Sequence, residues 1–451
     1  MPMALSDRDY FREFLQNISQ RQGIEEQEQS FYVPINDDAI RGPDLCTGLL
    51  RYAERTLGDA VTLVTGPKGS GKTSELLRFG RQVEVAGQRF FYTDIEDYLR
   101  PTELIDAGVL LTSIVADLVD KMQEESSHHS RIPDNRSFVA RFKDALRRFQ
   151  LDGVELSAGV DAGVTQLNAT VRGSLRDSAG FRAQVKRVLE NNRAQFRDEM
   201  FAIVKDVATT LRGTSGLSPV LVVDSLDHWR GSSDDKVPNS YASVRESMDR
   251  TFADYGSELR LPGFHVVYCV PSYIHQNWAN VHDMLNIKVR TENGEPFQPG
   301  LQQLQTVVEQ RAPGGDLARL FPKPELLAPV LSASGGVFRD LFRLVEGVIF
   351  NTTGRSATDQ SVARALAEER RAFTGGPAGL YREQVQLLAE IAHDHHHQFV
   401  PRECDLAEFD YLETLGAILR YPDGPDSYWL GIHPLLDTIV GRAPLPTPQA
   451  E

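Results

Sequence analysis

The residues Gly66-Pro67-Lys68-Gly69-Ser70-Gly71-Lys72-Thr73 match the pattern G-x-x-x-x-G-K-[ST] at every specified place. Chemistry explains these residue types. Glycines let successive backbone N–H groups curl round a phosphate, and a helix starting at the end of the loop adds the positive potential of its N-terminus. On this reading Gly66 to Ser74 hold the phosphates of ATP, with Lys72 on the β- and γ-phosphates and the Thr73 hydroxyl on Mg²⁺. The loop follows an apolar run, Val61–Thr65, and opens a helix-like one, Ser74 to Phe79, which is the setting such a loop requires. Its partner should be an apolar strand ending in an acid. Pro219–Asp224 (PVLVVD) supplies it, and Asp224 is assigned to Mg²⁺, directly or through water. Asp227, three residues on, is the candidate for orienting an attacking water; the competing reading is that it caps the helix or loop that follows.

Five apolar runs have the composition of strands buried on both faces: Val61–Thr65, Phe90–Asp94, Pro219–Asp224, Phe264–Val270 and Leu285–Val289. Helical stretches separate them, which predicts an α/β fold with a parallel sheet and crossover helices. Phe90–Asp94 lies in sequence between the loop strand and the Asp224 strand, compatible with the class that inserts a strand between those two. The longest helical pattern runs from Ser178 to Arg212, with a packing stripe of Phe181, Val185, Val188, Phe196, Met200, Val204, Val207 and Leu211. Val154–Leu175 alternates patchily and is read as a β-hairpin. Phe373–Gly379 is a linker by composition. Beyond it, Leu380–His393 reads as a helix and Pro401–Leu415 as two short helices, and Ala417–Tyr421 and Tyr428–Ile432 flank a hairpin signal at Pro422–Ser427. That order predicts a winged helix-turn-helix. The expected organisation is an N-terminal helical segment (1–42), a P-loop core (43–300) with a largely helical insertion at 98–218, a helical lid (301–372), a winged-helix-like domain (380–442) and a disordered tail (443–451).

Walker A at Gly66–Thr73, hhhhDxxD at Val220–Asp227 and an apolar strand ending in Cys269-Val270-Pro271-Ser272 resemble the AAA+ and STAND P-loop ATPases. Ser334–Leu341 (SGGVFRDL) is similar to the sensor 2 segment of their lid domain, particularly in the origin-recognition-like branch. With the tail, the resemblance covers roughly residues 35 to 440. It implies that Arg339 reaches the γ-phosphate, against the plainer reading of a surface arginine, and that Cys269 or Ser272 supplies the sensor 1 group. Arg230, Arg290 and Arg311 stand as equal candidates for an arginine finger. The chain departs from the family at Ser225, where the usual DE pair has a catalytic Glu. That implies slow hydrolysis of ATP to ADP and phosphate, and a regulatory switch.

Net charge −15 repels polyphosphate on average, so a nucleic-acid role would need a local basic patch. The tail offers the reverse. Arg402–Leu415 has one basic residue against Glu403, Asp405, Glu408, Asp410 and Glu413, and the hairpin adds Asp423 and Asp426. DNA is therefore disfavoured, and the tail reads as a protein-contact or autoinhibitory element. Cys46, Cys269 and Cys404 form no CxxC pair, so neither a structural zinc nor a disulfide framework is expected. With no apolar leader in Met1–Gln20 and no run near the ~18 residues a bilayer requires, a cytoplasmic protein without membrane contact is expected. His393-Asp394-His395-His396-His397 reads as a solvated helix end rather than a metal site.

The expected partners are ATP, further copies of the chain and a separately encoded effector protein, in a bacterial defence system by analogy with the STAND proteins that the chain resembles. The alternatives are a DNA-loading or transposition-type AAA+ ATPase and a non-hydrolysing module that uses ATP to hold its domains together.

Overall fold

A computed structural model describes residues 6–19, 31–35, 37–56, 58–128, 136–151, 164–213, 216–232, 237–275, 278–375, 380–394, 406–424 and 427–441. From the N-terminus run α1 (Asp7–Ile18), α2 (Asp38–Arg41), α3 (Leu45–Arg55), β1 (Ala60–Thr65), α4 (Lys72–Val85) and β2 (Phe90–Asp94). Next come α5 (Ala107–His128), α6 (Arg136–Arg148), α7 (Val164–Asp177), α8 (Ala179–Arg212), β3 (Val220–Asp224) and α9 (Tyr241–Asp254). Then follow β4 (His265–Cys269), β5 (Val281–Asp283), α10 (Gln298–Arg311), α11 (Pro324–Ala333), α12 (Phe338–Asn351) and α13 (Asp359–Gly375). The chain closes with α14 (Arg382–Asp394), α15 (Leu406–Thr414), β6 (Ile418–Pro422), β7 (Tyr428–Ile432) and α16 (Asp437–Val440). Among the described residues no helix is long and apolar enough to cross a membrane. The chain divides into two compact units: residues 45–65 with 75–283, and residues 1–44 with 66–74 and 284–451.

The first unit is built on a five-stranded parallel sheet of order β2-β3-β4-β1-β5. Every residue of β1, β3 and β4 is buried, as their Val-rich runs require. The strand that separates β1 from β3 is β4. Phe90–Asp94 pairs instead with the outer side of β3, so its place in the sequence between β1 and β3 did not translate into a place between them in space. Parallel register sets Asp94 beside Asp224 and Val64 beside Cys269. The C-terminal strand ends Thr65, Asp94, Asp224 and Cys269 therefore share one edge of the sheet, the edge where open α/β folds carry their sites.

Helices α5 and α8 supply the apolar cover of this sheet. Ser178 caps α8 by accepting the Phe181 N–H. The buried stripe contains the expected residues except Val188, whose place Leu189 takes. Non-helical backbone at Asn192 interrupts α8. There Arg193 reaches the fully buried Glu258 through Nε at 2.6 Å and Nη2 at 2.9 Å. The hairpin expected at Val154–Leu175 is not formed over its second part, where Val164–Asp177 is helix; residues 154–163 lie outside the described residues. Thr165, Leu167, Val171 and Leu175 alternate or skip unevenly, and packing of Val171 and Leu175 one helical turn apart decided the outcome.

The second unit is helical. Tyr10, Phe14 and Ile18 of α1 enter one core with α10 to α13. Leu285–Val289, expected as a strand, belongs to no sheet, and β5 is the short Val281–Asp283. The backbone N–H groups of this segment go elsewhere: Asn286 donates to Arg420 O at 2.9 Å and Lys288 to Ile40 O at 2.8 Å. Its alternating Ile287 and Val289 pack into the helical core.

The described C-terminal residues run helix, helix and hairpin; Pro401–Leu415, expected to hold two short helices, has one in its described part, and residues 401–405 lie outside the described residues. The hairpin is buried on both faces. Leu419, Tyr421 and Trp429 enter the core of α10 to α13, while Ile418, Leu430 and Ile432 pack with Leu388, Ile391, Phe409 and Leu412. Fewer acids of this region face water than its sequence suggests. Phe409, Asp410, Leu412 and Glu413 form the inward face of α15, and Glu413 binds Arg420. Two of the five acids therefore do not face water. Glu403, Asp405, Asp426, His395 to His397 and the 443–451 tail lie outside the described residues.

Candidate phosphate-binding site

The loop that follows β1 in the chain belongs to the helical unit. Gly66 and Gly69 have φ of 141° and 84°. A Cβ at Gly66 would stand 2.4 Å from Met284 O, and one at Gly69 would stand 2.6 Å from Arg339 Cβ. Only glycine fits at either place. Lys72, 5 % exposed, folds back so that Nζ donates to Gly66 O and Pro67 O, each at 2.8 Å. Ser70 Oγ is buried and has no hydrogen-bond partner among the described residues. A curled backbone, a cation inside the curl, an orphaned hydroxyl and the start of α4 at Lys72 together suit a phosphate.

Two further residues bracket this loop. Arg41 donates from Nη2 to Ser70 O at 2.6 Å and lies over the Phe338 ring at 5.5 Å. The Arg339 N–H faces Gly69 O at 3.4 Å. Arg339 is not a surface arginine: its side chain is 15 % exposed, and Nε donates to Asp340 Oδ1 at 3.2 Å. Arg41 precedes the loop by more than twenty residues in no recognisable motif, and nothing in the sequence points to it.

In the sheet unit, Asp224 (2 % exposed) accepts the Ser225 N–H at 2.7 Å on Oδ1 and the Tyr92 hydroxyl at 2.8 Å on Oδ2. Burial, then the Asp224 charge, pushes the Tyr92 phenol far above its ordinary range, so it stays a donor at any working pH. Cys269 Sγ donates to Asp227 Oδ1 at 3.5 Å. Asp224, Asp227 and Cys269 each present a ligand atom, all within 4.8 Å of one another. Two carboxylates suit Mg²⁺, which prefers oxygen; the thiol does not add to that preference. Asp227 lies inside the short turn Leu226–His228, whose cap position is Ser225.

Ser225 itself has φ 73°, a left-handed conformation that costs a non-glycine residue about 1 kcal/mol. Asp94, beside Asp224 in register, is pushed up by burial, with opposing hydrogen bonds from the Glu96 N–H and Ser225 and a further push from the Asp224 charge. No local signal predicts the Tyr92–Asp224 contact, because it depends on which strand neighbours β3.

The arginine-finger candidates separate. Arg290 binds both oxygens of Asp437, at 3.1 and 3.0 Å, and Arg311 stacks on Phe342 at 4.6 Å while donating to Phe31 O and Val307 O, each at 3.1 Å. Arg230 is exposed. Ser272 opens the short turn Ser272–His275.

No protein-family model matches the chain. No curated protein matches it. Among solved structures it is similar to Drosophila ORC bound to DNA, with 12% identity, 98% of this chain and 94% of that chain covered and a TM-score of 0.37. It is also similar to the Aeropyrum pernix ORC1 protein in complex with DNA, with 12% identity, 96% and 97% covered and a TM-score of 0.36. The strand order and the glycine-rich loop, rather than this likeness, carry the fold assignment: an α/β chain whose P-loop follows the fourth strand of a parallel five-stranded sheet.

Proposed function

We propose that the chain is a slow, Mg²⁺-dependent ATPase of AAA+ or STAND type that works as a regulatory switch. The observation that carries this reading is the loop at Gly66–Thr73, whose glycine backbone no other residue could adopt and whose Lys72 ammonium is held inside the curl. In this reading Gly66 to Ser74 wrap the phosphates, Lys72 offsets their charge, and Thr73 and Asp224 hold Mg²⁺. The metal, when bound, offsets charge on the transferred phosphoryl group. Asp227 orients the attacking water, whose oxygen forms the new P–O bond as ADP leaves. Arg339 reports the γ-phosphate. Ser225 leaves the position of a catalytic Glu unfilled, which accounts for slow turnover and favours a switch over a motor.

The output of such a switch is association with further copies of the chain and with a separately encoded effector in the cytoplasm; a bacterial defence system is the setting that the STAND resemblance suggests. The burial of Asp410 and Glu413 favours keeping the second reading, a DNA-loading ATPase, because it removes acids that would have repelled DNA.

Calorimetry with MgATP tests the first reading. Binding is expected for the native chain, and Lys72→Ala should lower affinity by on the order of a hundredfold. No binding by folded native protein would sink it. Steeply salt-dependent binding of duplex DNA would support the second reading.

A further inference from the structure

The guanidinium of Arg339 is held in an unusual way. Its Nε edge is taken by Asp340 Oδ1 at 3.2 Å, while its two Nη groups have no partner among the described residues. A mostly buried guanidinium with two open donors is suited to receive an anion bidentately. What holds Asp340 therefore decides where those donors point.

Asp340 is 2 % exposed and sits in the first turn of α12. Its other oxygen, Oδ2, faces Nε2 of the fully buried His433 at 3.5 Å, a charge contact longer than a hydrogen bond, and neither atom has a hydrogen-bond partner among the described residues. His433 Nδ1 accepts the Leu435 N–H at 3.3 Å, which assigns the ring proton to Nε2, the nitrogen on the Asp340 side. The ring is stacked on Phe373 with centroids 4.7 Å apart, and the backbone N–H of His433 donates to Ala417 O at 2.9 Å. Burial opposes ionisation of Asp340, but the nearby His433 ring and the Arg339 charge outweigh it and hold the carboxyl below its usual range. Arg343 Nη1 stands 3.7 Å from the same Oδ1 and 3.9 Å from Glu369, so a second cation balances the site. From the same hairpin, the Tyr421 hydroxyl donates to Gly335 O at 3.0 Å, four residues before Arg339.

We infer that Asp340 and His433 are positioning residues for Arg339, through which the C-terminal hairpin region sets how this arginine meets the γ-phosphate. The inference rests on the proposed role of Arg339. A purely structural ion pair would stabilise the fold without discriminating between nucleotides. A positioning pair changes the preference for ATP over ADP, because only ATP presents the γ-phosphate.

The experiment measures ATP and ADP affinity by calorimetry on the full chain with Mg²⁺. Arg339→Ala should reduce the ATP-over-ADP preference about tenfold with ADP affinity unchanged. Asp340→Asn and His433→Ala should reduce it in the same sense, and each should lose its effect once Arg339 is already Ala. His433→Gln, whose amide still donates toward Oδ2, should restore most of the preference, and it carries the test if His433→Ala does not fold. A folded Asp340→Asn that keeps the full preference for ATP over ADP, while Arg339→Ala lowers it, overturns the inference alone, as does a His433→Gln that loses the preference as fully as His433→Ala. Normal preference in Arg339→Ala overturns the underlying role as well.

Discussion

The glycine-rich loop and the acid cluster on the sheet edge both prepare charged groups away from water, and they do so with different parts of the chain. In the loop, the backbone does the shaping: glycine conformations at Gly66 and Gly69 fix the curl, and Lys72 is tied to carbonyls five and six residues away. In the cluster, side chains do it. Asp224 is held by a phenol 132 residues distant, and Asp227 meets a thiol 42 residues distant. The loop is thus vulnerable to a single methyl group, whereas the cluster depends on strands assembling in the right order.

The largest effect is expected from that methyl group. Gly66→Ala places a Cβ 2.4 Å from Met284 O at a φ of 141°, and ATP affinity should fall on the order of a hundredfold in calorimetry. Unchanged affinity would mean that the backbone does not shape the site. In the cluster, Asp224→Asn should spare ATP binding while lowering steady-state turnover at least about tenfold, since it removes the proposed metal ligand. Equal losses in binding and turnover would erase the contrast between the regions.

The opposite end of β4 sharpens the comparison through pH. Burial, then the neighbouring His282, pushes His265 down to about 4 from 6.5, and its Nε2 lies 2.9 Å from Thr62 Oγ1. Between pH 6.5 and 4 the unfolded chain takes up a proton that the native state excludes. Stability should therefore be level above pH 6.5 and fall by up to about 3 kcal/mol toward pH 4. Urea midpoints measured across that range, with His265→Asn flattening part of the slope, check this. The smallest effect belongs to Tyr92→Phe, which removes one hydrogen bond from a buried carboxylate. It should raise the Mg²⁺ concentration for half-maximal turnover about fivefold, leaving the metal-free ATP affinity as it was. A change in ATP affinity instead would detach Tyr92 from the proposed metal site.

Legibility in the sequence follows the same divide. Val61–Thr65 and Pro219–Asp224 announced themselves as buried strands because both faces are apolar. Leu285–Val289 has the same pattern for another reason, since its side chains pack into a helical core while its N–H groups are satisfied by Ile40 and Arg420. Composition alone does not tell those apart. The acidic helix α15 was legible as acidic; that Asp410 and Glu413 turn inward depended on its helical phase against the hairpin.

Local chemistry determined the glycine loop, its lysine and the acid that ends an apolar strand, because each needs only neighbouring residues to take its shape. Tertiary structure alone decided that β4 separates β1 from β3, that Tyr92 holds Asp224, that Arg41 reaches Ser70 and that His433 faces Asp340. Those contacts join residues far apart in the chain, and their energy is realised only once the strand order and the burial of each unit have brought the partners together.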